Sequence, residues 1–320
     1  MTLTELARLA NVSLSTASKA FSGAEDISDE TREHIFNIAR ENGCFGRFYK
    51  GKYVKPIIAV ISSEPIGGYY GRIVEALRKQ IEQDGCICVT ATDHFSAETQ
   101  AELLDYFISW MKVDGVIVFS LKSPLKKAYR TPVISLFSSA DQHVDAVKTT
   151  MADAIFETAA LLSDYGHRNV AFIGEKLTGG KQRSLEAAIH RLGGSCCSVV
   201  SDKRFEEAGE DGARRLLASG TSFTALVCAY DNIAYGAIKE FKRHGLSVPD
   251  DVSVIGMDNL DTSAYTETSL TSIDFDSDGL CRESWALMKK KLHDPYYRAE
   301  DGVVVPSRLI IRESIRDLRK

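Results

Sequence analysis

The pattern of apolar and polar positions divides the chain into two parts of different periodicity. In residues 1–43, apolar side chains recur every three or four positions, which is the spacing of one helical face. This pattern predicts three short helices and no strand. From Pro56 onward, short uninterrupted apolar runs alternate with amphipathic segments, as they do where buried parallel strands are joined by helices.

Capping and turn residues indicate where the three predicted helices begin and end. Their predicted N-caps are Thr2, Ser13 and Ser28. Asn11 tolerates the left-handed backbone of a tight turn between the first two helices, and Gly43 ends the third. Residues 3–21 therefore have the layout of a helix-turn-helix.

The remainder of the chain predicts an α/β core with two lobes, each a doubly wound parallel sheet. Predicted strands cover 57–61, 115–119, 133–136, 170–173, 225–228 and 252–257. Predicted helices cover 72–83, 97–112, 153–164, 183–192, 206–218, 232–244 and 277–292. A single sheet of all these strands would be too wide for one core, so we expect two lobes. Such lobes bind ligands at the carboxyl ends of their strands.

Composition excludes several classes of protein. The 320 residues are 44% hydrophobic and 26% charged, which is ordinary for a soluble chain and argues against disorder. The longest apolar runs are about six residues, far below the roughly 20 that span a bilayer. An acidic residue follows Met1 closely and no apolar leader is present, so we expect a cytoplasmic protein without a membrane partner.

Positive charge concentrates at the joint between the two parts. Residues 40–55 carry five basic side chains and one acidic side chain, although the whole chain has a net charge of −5. The basic residues are Arg40, Arg47, Lys50, Lys52 and Lys55. A local basic patch suits nucleic acid. A solvated linker would also be polar, so that alternative stays open.

Candidate catalytic and metal-binding motifs are incomplete. Residues 174–182 nearly spell a phosphate loop, but Lys181 comes one position late and Gln182 replaces the Ser/Thr that would hold magnesium. A lone SxxK at 123–126 lacks supporting motifs. The seven cysteines include no CxxC pair, which indicates free thiols. We therefore expect no enzymatic activity, no cofactor and no metal site.

Several long motifs resemble one family. The segments ELARLANVSLSTASKAFSG and ISDETREHIFNIARENG resemble the headpiece of LacI/GalR-family transcriptional repressors. Three core segments resemble motifs of the same family: GHRNVAFIG, DNIAYGAIKEFKRHGLSVPDDVSVIGMDN and LTSIDFDSDGL. The resemblance covers nearly the whole chain in order.

The resemblance implies a division into domains. A helix-turn-helix DNA-binding domain would cover 1–43, a basic hinge 44–56, and an effector-binding and dimerisation core 57–320. The core would have the two-lobed fold of periplasmic binding proteins. Lobe 1 would comprise about 57–147 and 276–301, and lobe 2 about 148–275 and 302–320.

The resemblance also implies DNA-contacting residues. By position, Leu14, Ser15 and Lys19 would read bases. The residues implied at phosphates are Thr2, Ser13, Thr16, Ser18, Ser22 and Thr31. Lys19 stands where the family usually has Arg, so bidentate reading of guanine is less assured. For Ser13 the alternative is a purely structural cap.

The hinge departs from the family pattern. Relatives have a short hinge helix whose Leu wedges into the minor groove, but this chain has Arg47-Phe48-Tyr49 there and no such motif. We expect Arg47 to contact DNA and either Phe48 or Tyr49 to act as the wedge, since aromatic side chains can unstack a base step. The alternative is an unfolded hinge that gives weaker binding.

The resemblance places an effector between the lobes. The implied contacts are Ser63, Phe137, Arg183, Ser184, Tyr230, Asp258 and Phe275. Aromatic residues stand at three positions where sugar binders carry polar ones, and polyols need buried polar partners. A flatter, more apolar ligand than a free hexose is therefore expected. Misplaced positions or a vestigial site are the alternatives.

The resulting prediction is a dimeric, sequence-specific transcriptional regulator. It would repress by binding a pseudo-palindromic operator, with an affinity set by the small molecule. The sequence ends soon after the last predicted strand without a heptad tail, which favours a dimer over a tetramer. The alternatives are a solute-binding protein of a transporter and a regulator whose effector pocket is vestigial.

Overall fold

The computed structural model describes residues 1–24, 26–49, 55–64, 68–127, 129–294, 297–299 and 302–320. The chain forms two compact units. The first comprises Met1–Ile66, Tyr70–Lys148 and Asp278–Val304, and the second comprises Gly67–Tyr69, Thr149–Ser277 and Val305–Lys320.

The first 41 residues contain the three predicted helices. They are α1 (Leu3–Leu9), α2 (Leu14–Ser22) and α3 (Asp29–Glu41). All three predicted caps are confirmed: the hydroxyls of Thr2, Ser13 and Ser28 each accept a backbone N–H three residues later. Asn11 has φ of 53°, the left-handed turn between α1 and α2.

An aromatic cluster closes the core of this helical headpiece. The rings of Phe21 and Phe36 lie 5.1 Å apart, and the ring of Phe45 lies 5.1 Å from Phe36. Phe45 belongs to a fourth short helix, α4 (Phe45–Phe48), and is buried. Residues 44–49 were expected to form part of a linker. In the structure they instead pack on the headpiece, because Phe45 completes its apolar core. Residues 50–54 lie outside the described part of the chain.

The rest of the chain alternates strands and helices. The strands are β1 (Ile57–Ser62), β2 (Ile87–Thr92), β3 (Gly115–Leu121), β4 (Val133–Ser139), β5 (Asp145–Thr149), β6 (Asn169–Glu175), β7 (Ser195–Ser201), β8 (Ala225–Cys228), β9 (Ser253–Met257), β10 (Thr271–Asp274), β11 (Val303–Val305) and β12 (Arg308–Ile310). The helices are α5 (Gly68–Gln83), α6 (Ala97–Asp105), α7 (Met151–Asp164), α8 (Gly179–Arg191), α9 (Phe205–Ala218), α10 (Asp231–Arg243) and α11 (Ser277–His293).

Each unit is built on one six-stranded sheet, and the two sheets share a topology. The first has the order β11-β5-β4-β3-β1-β2 and the second β12-β10-β9-β8-β6-β7. Within the first sheet, neighbouring strands among β1 to β5 are parallel, and within the second sheet the same holds for β6 to β10. Strand β12 pairs antiparallel with β10. The doubly wound parallel fold is thus confirmed. In this order, ligands bind beside the strand at which the winding reverses.

The sequence pattern located six of the strands and missed the four edge strands together with the interior strands β5 and β10. The predicted runs correspond to β1, β3, β4, β6, β8 and β9. Five of these are buried along nearly their whole length, and β4 is buried over its first four residues. The edge strands β2 and β7 are mostly half-buried and lack a continuous apolar run. The predicted helix 97–112 ends early as an α-helix, because α6 continues as a π-helical turn over Tyr106–Trp110.

Two glycines allow helices α9 and α10 to cross in backbone contact. A Cβ on Gly236 would lie well inside van der Waals distance of the Glu206 carbonyl oxygen. A Cβ on Gly209 would meet the Ile233 carbonyl oxygen in the same way. Because the obstacle is backbone, the clash cannot be relieved by a side-chain rotation. This crossing holds α10 against the sheet of the second unit.

We predict that Gly236→Ala destabilises the protein by about 3 kcal/mol through forced separation of α9 and α10. Urea unfolding followed by circular dichroism measures the change. Gly180→Ala is the matched control, since Gly180 is helical and a Cβ added to it would meet no atom within 4 Å. It should be neutral or stabilise by up to about 1 kcal/mol. Equal effects of the two substitutions would contradict the close crossing.

Candidate functional site

The outer face of α2 presents the residues that were predicted to read bases. Leu14, Ser15 and Lys19 are all exposed, and Leu14 is 50% exposed despite being apolar. The opposite face of the helix carries Ala17 and Phe21, which are buried in the headpiece core. The amphipathic pattern therefore leaves the N-terminal turn of α2 free to enter a major groove.

The predicted phosphate-contacting hydroxyls lie at the ends of the headpiece helices. Thr2 and Glu5 form a complete capping box, and the Ser13 hydroxyl lies 2.8 Å from that of Thr16. Thr31 has the same relation to Ser28, at 2.8 Å. Ser18 is exposed on α2, and Ser22 donates its hydroxyl hydrogen to the Lys19 carbonyl oxygen. Three of the six hydroxyls, those of Thr2, Ser13 and Ser22, therefore already bond to backbone groups at helix ends before any DNA is bound.

Lys19 forms an ion pair with Asp26 in the loop after α2. Both side chains are about half exposed, at 45% and 60%. The Lys19 ammonium lowers the pKa of the Asp26 carboxyl by hydrogen bonding. The cation that was predicted to read bases is thus held by an acid of the same domain.

The hinge residues lie against the headpiece. The Phe48 ring is 5.7 Å from Phe21, and the Tyr49 ring stacks on Phe45 at 5.2 Å with an interplanar angle of 11°. Arg47 is exposed and donates to the Met1 carbonyl oxygen at 3.1 Å. In this arrangement both candidate wedge rings are half-buried in protein contacts, so insertion into DNA would require them to leave the headpiece core.

At the strand ends of the first unit, Ser63 is joined to an ion pair that sequence reasoning missed. The Lys122 ammonium donates to Asp93 at 2.6 Å and to the Ser63 hydroxyl at 3.2 Å. Asp93 is fully buried and also accepts from the Gln100 amide at 2.6 Å. Ser63, Asp93 and Lys122 directly follow β1, β2 and β3, so the parallel sheet brings them to one edge.

Phe137 belongs to an aromatic cluster at the same edge. Its ring lies 5.9 Å from that of Phe119 and 6.2 Å from that of Tyr70, and Phe95 lies 6.3 Å from Tyr70. That Phe137 contacts an effector stays a prediction. The cluster presents flat apolar surface beside the Lys122–Asp93 pair.

The strand ends of the second unit bring together Tyr230, Asp258 and Phe275 around Lys181. Tyr230 follows β8, Asp258 follows β9 and Phe275 follows β10. The Lys181 side chain extends from the first turn of α8, and its ammonium lies 3.6 Å from an Asp258 carboxylate oxygen. In the sequence, Lys181 stood out only as part of a failed phosphate loop. Its position in α8, opposite three strand ends, was not visible from spacing.

Burial governs the electrostatics of this group. Asp258 is 6% exposed, and burial raises the pKa of its carboxyl while Lys181 opposes the rise. Burial also lowers the pKa of the Lys181 ammonium. Arg183 is exposed and Ser184 half-buried on the same helix. The cation that contacts Asp258 is therefore Lys181, which the sequence did not suggest. The roles of Arg183 and Ser184 as effector contacts stay predictions.

Left-handed backbone conformations concentrate at these strand ends. In the first unit they include Phe95 and Phe137, and in the second Asp258 and Asn259, which have φ of 106° and 45°. Such conformations cost free energy in residues with side chains and persist where the surroundings hold them. Their clustering beside the candidate contacts favours a site that is organised for binding.

Asp231, the first residue of α10, is fully buried in the second unit. It accepts hydrogen bonds from the Leu260 amide at 2.7 Å and from the Ser263 and Ser272 hydroxyls at 2.6 Å each. Despite these bonds, burial raises the pKa of Asp231 to about 6. Its carboxyl therefore connects α10 to the loop after β9 and to β10.

We predict that Asp231 makes stability fall as pH rises from about 4 to 6. The folded state binds this proton more tightly than the unfolded chain, whose carboxyl has the ordinary pKa of 3.8, so deprotonation favours unfolding. The loss attributable to this group is about 3 kcal/mol. Urea unfolding of wild type and Asp231→Asn across pH 4 to 7 measures it. Parallel stability profiles for the two proteins would contradict the prediction.

Two further features concern membrane-spanning helices and groups of metal-ligating side chains. In the described part of the chain, none of the helices combines the length and apolar character needed to cross a bilayer. Within those same residues, no group of three or more His, Cys, Asp or Glu side chains is placed to hold a metal ion.

Comparison with known families matches both parts of the chain. Residues 2–43 match the family of bacterial regulatory proteins of the lacI type, and residues 159–315 match the periplasmic binding protein-like domain. The transcriptional repressor PurR of Salmonella paratyphi A is 25% identical over 336 residues, covering 99% of this chain and 97% of PurR.

Solved structures share the fold. A LacI-family regulator from Silicibacter pomeroyi superposes with a TM-score of 0.74 at 18% identity, covering 99% of each chain. The lac repressor dimer bound to operator and the anti-inducer ONPF gives a TM-score of 0.73 at 19% identity, again over 99% of each chain. The chain thus joins a DNA-binding headpiece to a periplasmic-binding-protein-like core, and it belongs to the LacI family of transcriptional regulators.

Proposed function

We propose that this chain is a dimeric repressor that binds a pseudo-palindromic operator through α2 and responds to a small molecule held at the strand ends of its core. The observation that carries the proposal is the exposed reading face of α2, with Leu14, Ser15 and Lys19 on a fully capped helix-turn-helix. A purely structural helical bundle has no need to expose Leu14 at the start of a helix.

The chemistry of α2 supports base reading at its N-terminal turn. Ser15 can hydrogen-bond to base edges, Leu14 can pack against a thymine methyl, and Lys19 can donate to guanine acceptors. Ser18 and Thr16 are close enough along the helix to contact phosphates. The sequence preference would come from Leu14, Ser15 and Lys19. Much of the affinity, and its dependence on salt, would come from attraction between basic side chains and phosphates.

A dimer follows from how such headpieces read DNA. A single short helix contacts only a few base pairs, so two copies related by a two-fold axis are needed for a specific operator. The similar lac repressor is a dimer bound to its operator. We propose the same arrangement for this chain, acting in the cytoplasm as a regulator and not as an enzyme or a transporter's solute-binding protein. The attached headpiece favours this choice.

The core supports binding of a small, flat molecule. Phe137 in the first unit and Tyr230 in the second place half-buried rings at the strand ends, and the buried ring of Phe275 lies beside Tyr230 across Lys181. The buried carboxylates there, Asp93 and Asp258, each already face a lysine. Because a free hexose needs several buried polar partners and these rings supply none, we propose that the effector carries an apolar or aromatic body.

Selection of bound duplexes from a random DNA pool tests the DNA-binding part. We expect enrichment of one pseudo-palindrome, and an affinity for it that falls at least tenfold between 50 and 200 mM salt, since phosphate contacts release counterions (roughly 10³–10⁵ for 6–10 contacts). Failure to enrich any sequence, with or without a metabolite extract, would reject the proposal.

We predict that Asp26→Asn strengthens operator binding about two- to fivefold. In the free headpiece Asp26 holds the Lys19 ammonium, so removing its charge releases Lys19 for DNA. The gain is small because exposed ion pairs are weak. Lys19→Ala should weaken binding. Fluorescence anisotropy with the selected operator measures both.

Asp29→Asn is the matched control, because it removes the same charge from the headpiece without contacting Lys19; Asp29 pairs with Arg32 instead. If both asparagine variants gain affinity equally, the gain reflects net charge and the Lys19–Asp26 contact has no specific effect.

Effector binding is tested by a thermal-shift screen of metabolites on the full chain, followed by DNA binding with each hit. We expect a stabilising compound with a planar or apolar body that also changes operator affinity. Hits confined to neutral polyols would contradict the expected ligand class, and stabilisation without any change in DNA binding would contradict regulation by this site.

A further inference from the structure

The Lys181 ammonium lies inside a cage of four groups in the second unit. It donates a hydrogen bond to the Ala229 carbonyl oxygen at 2.8 Å and lies 3.6 Å from an Asp258 carboxylate oxygen. The ring centroids of Tyr230 and Phe275 lie 4.5 and 5.1 Å from the nitrogen. Four elements, α8 and the ends of β8, β9 and β10, converge to build this arrangement.

These four groups are the usual partners of a bound organic cation. Aromatic faces attract an ammonium through their quadrupoles, most strongly where water is excluded. A buried carboxylate and a carbonyl oxygen supply the charge and the hydrogen-bond acceptors that a desolvated ammonium requires. Phe275 and Asp258 are 4% and 6% exposed, and only 15% of the Lys181 side chain is accessible. The cage is therefore mostly shielded from water while Lys181 occupies it.

Occupancy by Lys181 changes what the site can bind. Asp258, the residue that the family resemblance assigns to effector contact, already faces a cation. A ligand that brings its own ammonium can therefore pair with Asp258 most simply by displacing Lys181. Lys181 itself extends from the first turn of α8, directly after Gly179 and Gly180.

We propose that the strand-end cage of the second unit is an ammonium-binding site that the protein's own Lys181 occupies. The ligand class is a cationic amine with a flat or apolar body, whose ammonium group replaces that of Lys181. This proposal rests on the proposed function in assuming that the core takes an effector, although the cage itself can be tested without one. Lys181 then acts as a competitor that sets the threshold for effector binding.

The cage can be emptied and refilled. Lys181→Ala removes three carbons and the nitrogen, which together correspond to propylammonium. We expect Lys181→Ala to lower the melting temperature of the full chain, and propylammonium at about ten times its Kd to raise it again by roughly 2–4 °C. Wild type should not respond to the same concentration, because its cage is filled.

Three controls define the outcome. 1-Propanol has the size of propylammonium without its charge and should not stabilise Lys181→Ala. Lys176→Ala removes an exposed lysine five positions earlier and should not gain a response to propylammonium. Equal stabilisation by 1-propanol, or no response of Lys181→Ala to propylammonium, would overturn the proposal. So would stabilisation of wild type by propionate that Lys181→Ala loses, since Lys181 would then be an anchor for anions.

A measurement on wild type keeps the proposal testable if Lys181→Ala does not fold. Acetylation with an N-hydroxysuccinimide ester, followed by peptide mass spectrometry, should label Lys181 at least tenfold more slowly than the exposed Lys176. Labelling of both at similar rates would mean that the cage is open. These outcomes are independent of operator binding, so failure of the cage and failure of the regulatory function can be told apart.

Discussion

The parallel arrangement of strands is the constraint on which the core of this protein depends. In a parallel sheet every strand ends at the same edge, so residues far apart in sequence are brought together without any direct attraction between them. Ser63, Asp93 and Lys122 meet in the first unit for this reason, and Tyr230, Asp258 and Phe275 in the second. Each group then acquires its chemistry from burial.

Burial makes these charges interdependent. Taking a carboxylate out of water is costly unless a cation or hydrogen-bond donors replace the solvent. Asp93 and Asp258 are each matched by a lysine, whereas Asp231 is held by one amide and two hydroxyls. In both units the strand-end acid is therefore already paired with a cation of the same chain.

The headpiece follows a different logic, in which apolar packing orders the elements and leaves the reading face free. Phe21, Phe36 and Phe45 fill its core, and α4 is recruited to it through Phe45. The same packing holds Phe48 and Tyr49 against protein. Any hinge conformation that contacts DNA through these rings has to compete with that aromatic cluster.

The sequence by itself determined the features that depend on local chemistry. Caps at Thr2, Ser13 and Ser28, the turn at Asn11 and the central strands follow from residues that are neighbours along the chain, and long motifs identified the family. The resemblance also predicted an effector site with Phe137, Tyr230 and Phe275, and that assignment stays a prediction.

Only the tertiary structure decided which distant groups meet. Edge strands such as β2 and β7 pair with a neighbouring strand on one side only, and they lack a continuous apolar run. Only the structure therefore shows that they belong to the sheets. Lys181 and Asp258 are 77 positions apart in the sequence. They meet because the first turn of α8 packs against the end of β9. Sequence spacing holds no record of such a contact, because long-range packing, and not local preference, sets the distance between the two groups.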